Sequence, residues 1–382
     1  MEIELLGLVG DPSGYGHDCR QTAHAMLLAG LPLTITRVSM GQGLFSCDYG
    51  DIESVLRPYI REAKNPKIQI MHSTPDCWPA HAREDCYVIG KTVWETDRIN
   101  PIWVECVKKS GVKEIWLPNQ FNIDVFKKDL PDVHMVYVPH AHDTGAFVPG
   151  GPSLDMSGIG IAKEDFVFGA GFQWSNRKNP EGLISAFLAE FRSDEPVALM
   201  LKTFGLNTSD KSNEHIRSEI LRVTKTTNLR GDHAKIAHHG QILPFDKQRA
   251  WFESVDCGVY PHRGEGWGLH ISESMLMGTP CIVTNWSGTT EYCTEENSYL
   301  LDYQMTPVRG MEWNKWYNSK QSWAEPDLLH LRKLMRAAFD GRENGELVEK
   351  GKIARQDISE RYNLASVGGI IKSRVDEICA SL

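Results

Sequence analysis

Short apolar runs alternate along this chain with longer segments whose apolar residues fall three or four apart, the pattern of strands interleaved with amphipathic helices. Ile3 to Val9 reads as a first buried strand, followed by the turn Gly10-Asp-Pro-Ser-Gly14-Tyr-Gly16 and a helix from Cys19 to Ala29 that Gly30 stops. Further strands are expected at residues 67–71, 87–90, 114–117 and 135–138, with helices between several of them. The pattern breaks at Phe147-Val-Pro-Gly-Gly-Pro-Ser153, a linker by composition. A second series begins after it, with strands at 166–170, 197–201, 235–239, 257–260 and 281–284 and helices at 180–190, 212–223, 246–253 and 269–277. Residues 310–325, dense in tryptophan, read as a surface loop ahead of a helix at 327–339. Alternation of this kind implies parallel sheets, so the fold class is α/β in two halves, residues 1–150 and 151–363.

Composition narrows the class without changing that picture. A chain of 382 residues suits two domains, and 41% hydrophobic with 24% charged residues is ordinary for a globular protein. No apolar run approaches the roughly 18 residues needed to cross a bilayer, and Met1-Glu-Ile-Glu lacks the basic flank of a signal peptide, so a cytoplasmic location is expected. Nine cysteines without disulfide or zinc spacing point to reduced, mostly buried thiols. A net charge of -9 argues against a general polyanion-binding surface but leaves room for a local basic cleft.

The chemistry concentrates in Glu265-Gly-Trp-Gly-Leu-His-Ile-Ser-Glu273 and the following Ser274-Met-Leu-Met-Gly-Thr-Pro280. The strand at 257–260 feeds a turn with Gly264, Gly266 and Gly268, and a helix starts near Leu269. A strand, a glycine turn and a helix N-terminus make an anion seat, because free backbone N–H groups and the helix dipole point at the turn. Glu265 beside that seat and Glu273 early in the helix are placed to hold hydroxyls on either side of a bound phosphate, as a nucleotide-sugar requires.

This segment resembles the E-x7-E signature of retaining glycosyltransferases of the GT-B fold, the family 4 type. The resemblance covers nearly the whole chain and implies two Rossmann-like domains facing each other across a cleft, with the last helix, residues 364–382, crossing back to the first domain. By it, Glu265 contacts the donor sugar, Glu273 the ribose, and Gly266, Trp267, Gly268 and Leu269 the diphosphate. The matching family segment usually reads Gly-Arg with a lysine five or six residues later. Here Gly171 is followed by Phe172 where the arginine would stand, and Lys178 keeps the lysine position. Arg177 and Lys202 are the candidates to supply the missing cation. In the first half, Gly14-Tyr15-Gly16 resembles the loop that closes over donor phosphate and acceptor. Glu95, in a Glu-Thr-Asp-Arg run seen in a subset of relatives, is a candidate for acceptor positioning or sugar contact, and His72 is a further catalytic candidate. His140 and His142 match the interdomain segment and read as hinge residues more readily than as a metal pair.

No Asp-x-Asp occurs in the sequence, which disfavours a metal-dependent transferase of the other major fold. The expectation is therefore a metal-independent retaining glycosyltransferase without a cofactor. Its partners would be a nucleoside diphosphate-sugar and an acceptor hydroxyl on a glycan, lipid, small molecule or nucleic acid. A nucleotide-sugar epimerase, a glucosyltransferase acting on viral DNA and a non-catalytic sugar-binding protein stay open as alternatives.

Overall fold

The computed structural model of the chain describes residues 2–38, 52–205, 208–227 and 232–382. Contacts divide it into two compact units, Met1–Ala146 with Ser359–Leu382, and Phe147–Ile358.

The first unit is built on six parallel strands, β1 (Ile3–Gly7), β2 (Leu33–Arg37), β3 (Ile68–His72), β4 (Tyr87–Lys91), β5 (Glu114–Leu117) and β6 (His134–Tyr137), in the order β2-β1-β3-β4-β5-β6. The edge strand β2 was not legible in the sequence, because Leu33-Thr-Ile-Thr-Arg37 mixes apolar and polar positions over only five residues. The helix expected from Cys19 begins earlier, at Gly14, since Ser13 caps it by accepting a hydrogen bond from the Gly16 N–H. The C-terminal helix Leu364–Ser381 lies against this first helix. Its residues Leu364, Val367, Ile371, Val375 and Ile378, spaced three or four apart, enter the core with Ile3, Leu5, Ala23, Met26 and Ile70. Burying each large aliphatic side chain is worth roughly 1.5–3 kcal/mol, which outweighs the poor intrinsic helix propensity of the paired glycines 368 and 369. Arg374 on its outer side holds Glu114, which is fully buried at the start of β5, with Nη2 2.5 Å from Oε2.

The second unit carries β7 (Phe166–Gln173), β8 (Val197–Phe204), β9 (Lys235–His239), β10 (Cys257–Tyr260), β11 (Cys281–Thr284) and β12 (Ser298–Leu301), again all parallel, in the order β12-β11-β10-β7-β8-β9. Phe166, Phe168, Phe187, Phe191 and Phe339 interlock at the centre of its core. The stretch expected as a surface loop at 310–325 ends in a strand: β14 (Ser322–Pro326) pairs antiparallel with β13 (Tyr303–Pro307), which precedes it. Trp323 is buried there beside Val308 and Met311, so its apolar ring gives the hairpin a small core of its own. The helix Glu346–Arg361 and strand β12 were also missed, the helix because its apolar positions are sparse among charges.

In each sheet the first strand is flanked by strands that lead off in opposite directions, β2 and β3 around β1, β8 and β10 around β7. Open α/β sheets bind ligands beyond the carboxyl ends of the strands at such a reversal. Among the described residues no helix is long and apolar enough to cross a membrane. The eight described cysteines are free thiols.

Candidate active site

In the second unit the reversal falls between β7 and β10, and the segments leaving those two strands meet. After β7 the chain makes a tight turn at Asn176–Lys178, and Asn179, with φ of 54°, caps the helix Pro180–Glu190 by accepting from the Gly182 N–H at 3.3 Å. After β10 it runs through Pro261, His262, Arg263 and Gly264 to Glu265. Arg263 ties the segments together: its N–H donates to the Arg177 carbonyl at 2.7 Å, and its guanidinium grips Glu325 of β14 at 2.7 and 2.8 Å.

Glu265 sits where they join. Lys178 Nζ hydrogen-bonds its Oε1, and Arg177 Nη1 lies 3.2 Å from Oε2 while also donating to the Gly264 carbonyl at 2.7 Å. Burial would push this carboxyl up, but the charges of Lys178, Arg177 and His262 together outweigh it and bring it to about 2. The backbone is fixed as firmly. The Glu265 N–H donates to Ser287 Oγ at 2.9 Å and its carbonyl accepts from the Gly288 N–H at 2.9 Å. A Cβ on Gly288 would stand 2.2 Å from the Gly266 carbonyl oxygen, so only glycine fits against this turn. His262, also buried, is pushed down to about 4 by desolvation, with Lys178 and Arg177 adding to the effect and Glu265 opposing it.

Gly268, with φ of 92°, turns the chain into the helix Leu269–Leu276 without a side-chain cap. The Leu269 and His270 N–H groups have no hydrogen-bond partner among the described residues, leaving the anion seat open. Trp267 has its side chain turned inward, with the indole N–H 3.1 Å from Ser272 Oγ and the ring against Tyr292. Glu273 is buried one turn into the helix, its Oε2 3.3 Å from His270 Nδ1 and 3.4 Å from Gln248 Nε2. Lys202, near the end of β8, has Nζ 3.4 Å from His270 Nε2 and 5.6 Å from the centre of the Trp251 ring. Desolvation lowers its ammonium to about 8, against the opposing pull of Glu273. Phe172 belongs to the hydrophobic core and is a packing residue in this fold.

The other site residues expected from the sequence lie in the first unit. Gly14 opens the first helix; Gly16 follows two residues later, where a Cβ would sit 1.9 Å from the Asp11 carbonyl oxygen. Tyr15 between them places its hydroxyl 2.9 Å from Thr92 Oγ1, just before Glu95, which is half-buried. Burial raises the Tyr15 phenol, and the Glu95 and Asp76 carboxylates raise it further. His72, the last residue of β3, is 1% exposed, and its Nε2 bonds Asp18 Oδ2 at 2.8 Å. Lys91 and His140 converge on the same oxygen, His140 Nε2 at 3.2 Å. Burial acts against the Asp18 carboxylate, yet His140, Lys91 and His72 hold it well below its usual range, while burial keeps both imidazoles neutral at pH 7.

The sequence did not single out Asp18, Lys91, His270, Gln248 or Trp251. His270 and Glu273 stand three apart on one helix face, a spacing that could have paired them. Asp18, His72, Lys91 and His140 are scattered over the first 140 residues, and only the parallel sheet brings them together.

Residues 163–307 match the family model described as glycosyl transferases group 1. No curated protein sequence matches the chain. Similar solved structures include Anabaena HepE in complex with UDP and glucose, at 12% identity and a TM-score of 0.69, with 100% of both chains covered. Sucrose-phosphate synthase from Thermosynechococcus elongatus is similar at 13% identity and a TM-score of 0.71, again over 100% of both chains. An E. coli trehalose-6-phosphate structure bound with UDP-2-fluoro glucose follows at 9% identity and 0.69, covering 98% of each chain. At such identities the likeness is one of fold. The chain has the GT-B fold, and its residues 163–307, which hold Lys178, Lys202, Glu265 and Glu273, are similar to the glycosyl transferases group 1.

Proposed function

We propose that this chain is a retaining, metal-independent glycosyltransferase that moves a sugar from a nucleoside diphosphate donor to an acceptor hydroxyl. The observation that carries the reading is the ionised Glu265 gripped by Lys178 and Arg177 at the sheet reversal of a unit similar to glycosyl transferases group 1. With two of its lone-pair directions taken by cations, the carboxylate keeps others to accept hydroxyls of a donor sugar. Lys178, Arg177, Lys202 and the N–H groups at Leu269 and His270 offer fixed positive charge for the diphosphate as it departs, which is the main term such a reaction needs. Glu273, deep beside Gln248, is assigned to the ribose.

A carboxylate held at about 2 is a poor proton acceptor at neutral pH, so Glu265 acts by charge and position rather than as a base. The sugar C1–O bond to phosphate breaks, a C1–O bond to the acceptor forms on the same face, and the acceptor proton passes to the departing phosphate oxygen. Atoms and charge balance without a further base or cation. UDP-sugars are the first donors to test, because HepE was solved with UDP, with UDP and glucose and with UDP-glucose. A thermal-shift screen of UDP-, GDP-, ADP- and TDP-sugars should show stabilisation of about 2.7 kcal/mol for a donor at 100 times its Kd. Turnover of that donor should survive EDTA, and product NMR should show the donor's anomeric configuration. Activity lost to chelation and restored by Mn²⁺, or an inverted product, would overturn the mechanism.

A further inference from the structure

His270 stands between the cation and the carboxylate to which the diphosphate and the ribose are assigned. Its Nε2 is 3.4 Å from Lys202 Nζ, and its Nδ1 is 3.3 Å from Glu273 Oε2. The ring is held from three sides. Phe252 and Trp251 pack on it with centroids 5.8 and 6.5 Å away, and a Cβ on Gly171 would lie 3.3 Å from its Cγ and Cδ2. Gly171 in β7 pairs in register with Lys202 in β8, so one strand pair sets both the ring's floor and the lysine's origin.

One hydrogen bond, from Lys202 to Nε2, and one close carboxylate, Glu273 beside Nδ1, select one form of this imidazole. An ammonium only donates and a carboxylate only accepts. Neutral His270 with its proton on Nδ1 suits both neighbours: Nε2 accepts the hydrogen bond from Lys202, and the Nδ1 side turns its positive N–H toward Glu273 Oε2 at 3.3 Å, an electrostatic approach whose angle falls short of a hydrogen bond. The other tautomer sets N–H against ammonium and a lone pair against carboxylate, and the imidazolium offers Lys202 no acceptor. Burial, then the charges of Lys202 and Lys178, hold the ring well below the ordinary imidazole range against the opposing Glu265, which keeps it neutral.

We propose that His270, as the neutral Nδ1–H tautomer, is a positioning residue that aims Lys202 at the diphosphate and Glu273 at the ribose of the same bound nucleotide. This deepens the nucleotide-sugar reading above and rests on it. Lys202 gives one N–H to the ring and keeps two for phosphate oxygens; without the ring its four-carbon stem is free to rotate over Trp251.

The test is calorimetric binding of UDP, UMP, uridine and inorganic pyrophosphate to the whole chain and to His270→Leu, His270→Gln and His270→Asn. Glutamine reaches the position of Nε2 with an amide oxygen and restores only the Lys202 link; asparagine reaches that of Nδ1 with an amide N–H and restores only the Glu273 link. The leucine variant should weaken UDP about tenfold, the effect of one charge-assisted hydrogen bond. His270→Gln should keep the preference for UDP over UMP and the affinity for pyrophosphate. His270→Asn should lose both while holding uridine and UMP near wild type. UDP affinity within twofold of wild type in His270→Leu, or equal losses in the glutamine and asparagine variants at unchanged melting temperature, would overturn the proposal while leaving the nucleotide-sugar reading standing. Wild-type protein that binds neither UDP, GDP nor ADP would overturn both.

Discussion

Replacing Gly288 by alanine tests how tightly the Glu265 turn must be held. The added Cβ would lie 2.2 Å from the Gly266 carbonyl oxygen, 2.6 Å from its carbonyl carbon and 2.7 Å from the Glu265 carbonyl oxygen. All three are backbone atoms, so no side chain can swing aside; restoring ordinary contact takes a shift of about 1 Å, of the size that costs about a hundredfold in rate. That is about 2.7 kcal/mol of transition-state stabilisation. The same shift lengthens the 2.9 Å bond from the Gly288 N–H to the Glu265 carbonyl, and overpacking adds about 1–3 kcal/mol of destabilisation, within what a typical domain can lose and still fold. The assay is release of nucleoside diphosphate at saturating donor, beside thermal melting. Gly369→Ala is the control, since its Cβ meets nothing within 4 Å and it lies in the C-terminal helix; turnover should be unchanged. If Gly288→Ala turned over within threefold of wild type and melted at the wild-type temperature, the turn would not be the rigid element described here.

Glu273→Ala should weaken free nucleotide as well as turnover, whereas Glu265→Ala should spare bare nucleotide affinity and lose turnover; equal loss of nucleotide binding in both would show the two roles to be misassigned. Arg374→Ala strips the cation from buried Glu114 but leaves its bonds from Trp116 and Tyr87, so denaturant unfolding should show a loss of about 3 kcal/mol, and a loss below 1 kcal/mol would refute the staple. His262 titrates near 4 folded and near 6.5 unfolded, so the unfolded chain binds the extra proton and stability falls as pH drops below 6.5. Its share is about 2 kcal/mol between pH 7 and pH 5. His262→Gln should flatten the fall in melting temperature over that window, and an unchanged slope would refute it.

Local sequence sufficed for the two α/β series and for the strand–turn–helix around Glu265, because strand hydrophobicity, glycine turns and helix stops are short-range properties. It also marked Lys178, Arg177 and Lys202 as the cations to watch. Sequence could not show that Arg177 and Lys178 meet at Glu265 while Lys202 stands with His270, since these residues come from separate segments that only the β7–β8 and β7–β10 pairings bring together. Nor could it distinguish Phe172 as a core residue from Phe172 as a missing ligand; that depends on which face of β7 turns inward. The tryptophan-rich stretch before Asp327 looked like a loop because its pairing partner, β13, is weakly apolar and fifteen or more residues away. Parallel and long-range pairing likewise assembled Asp18, His72, Lys91 and His140 around one carboxylate oxygen. Residue types are written in the chain, but which charges share a low-dielectric interior is settled only when the sheets close, and that decides their protonation and hence their chemistry.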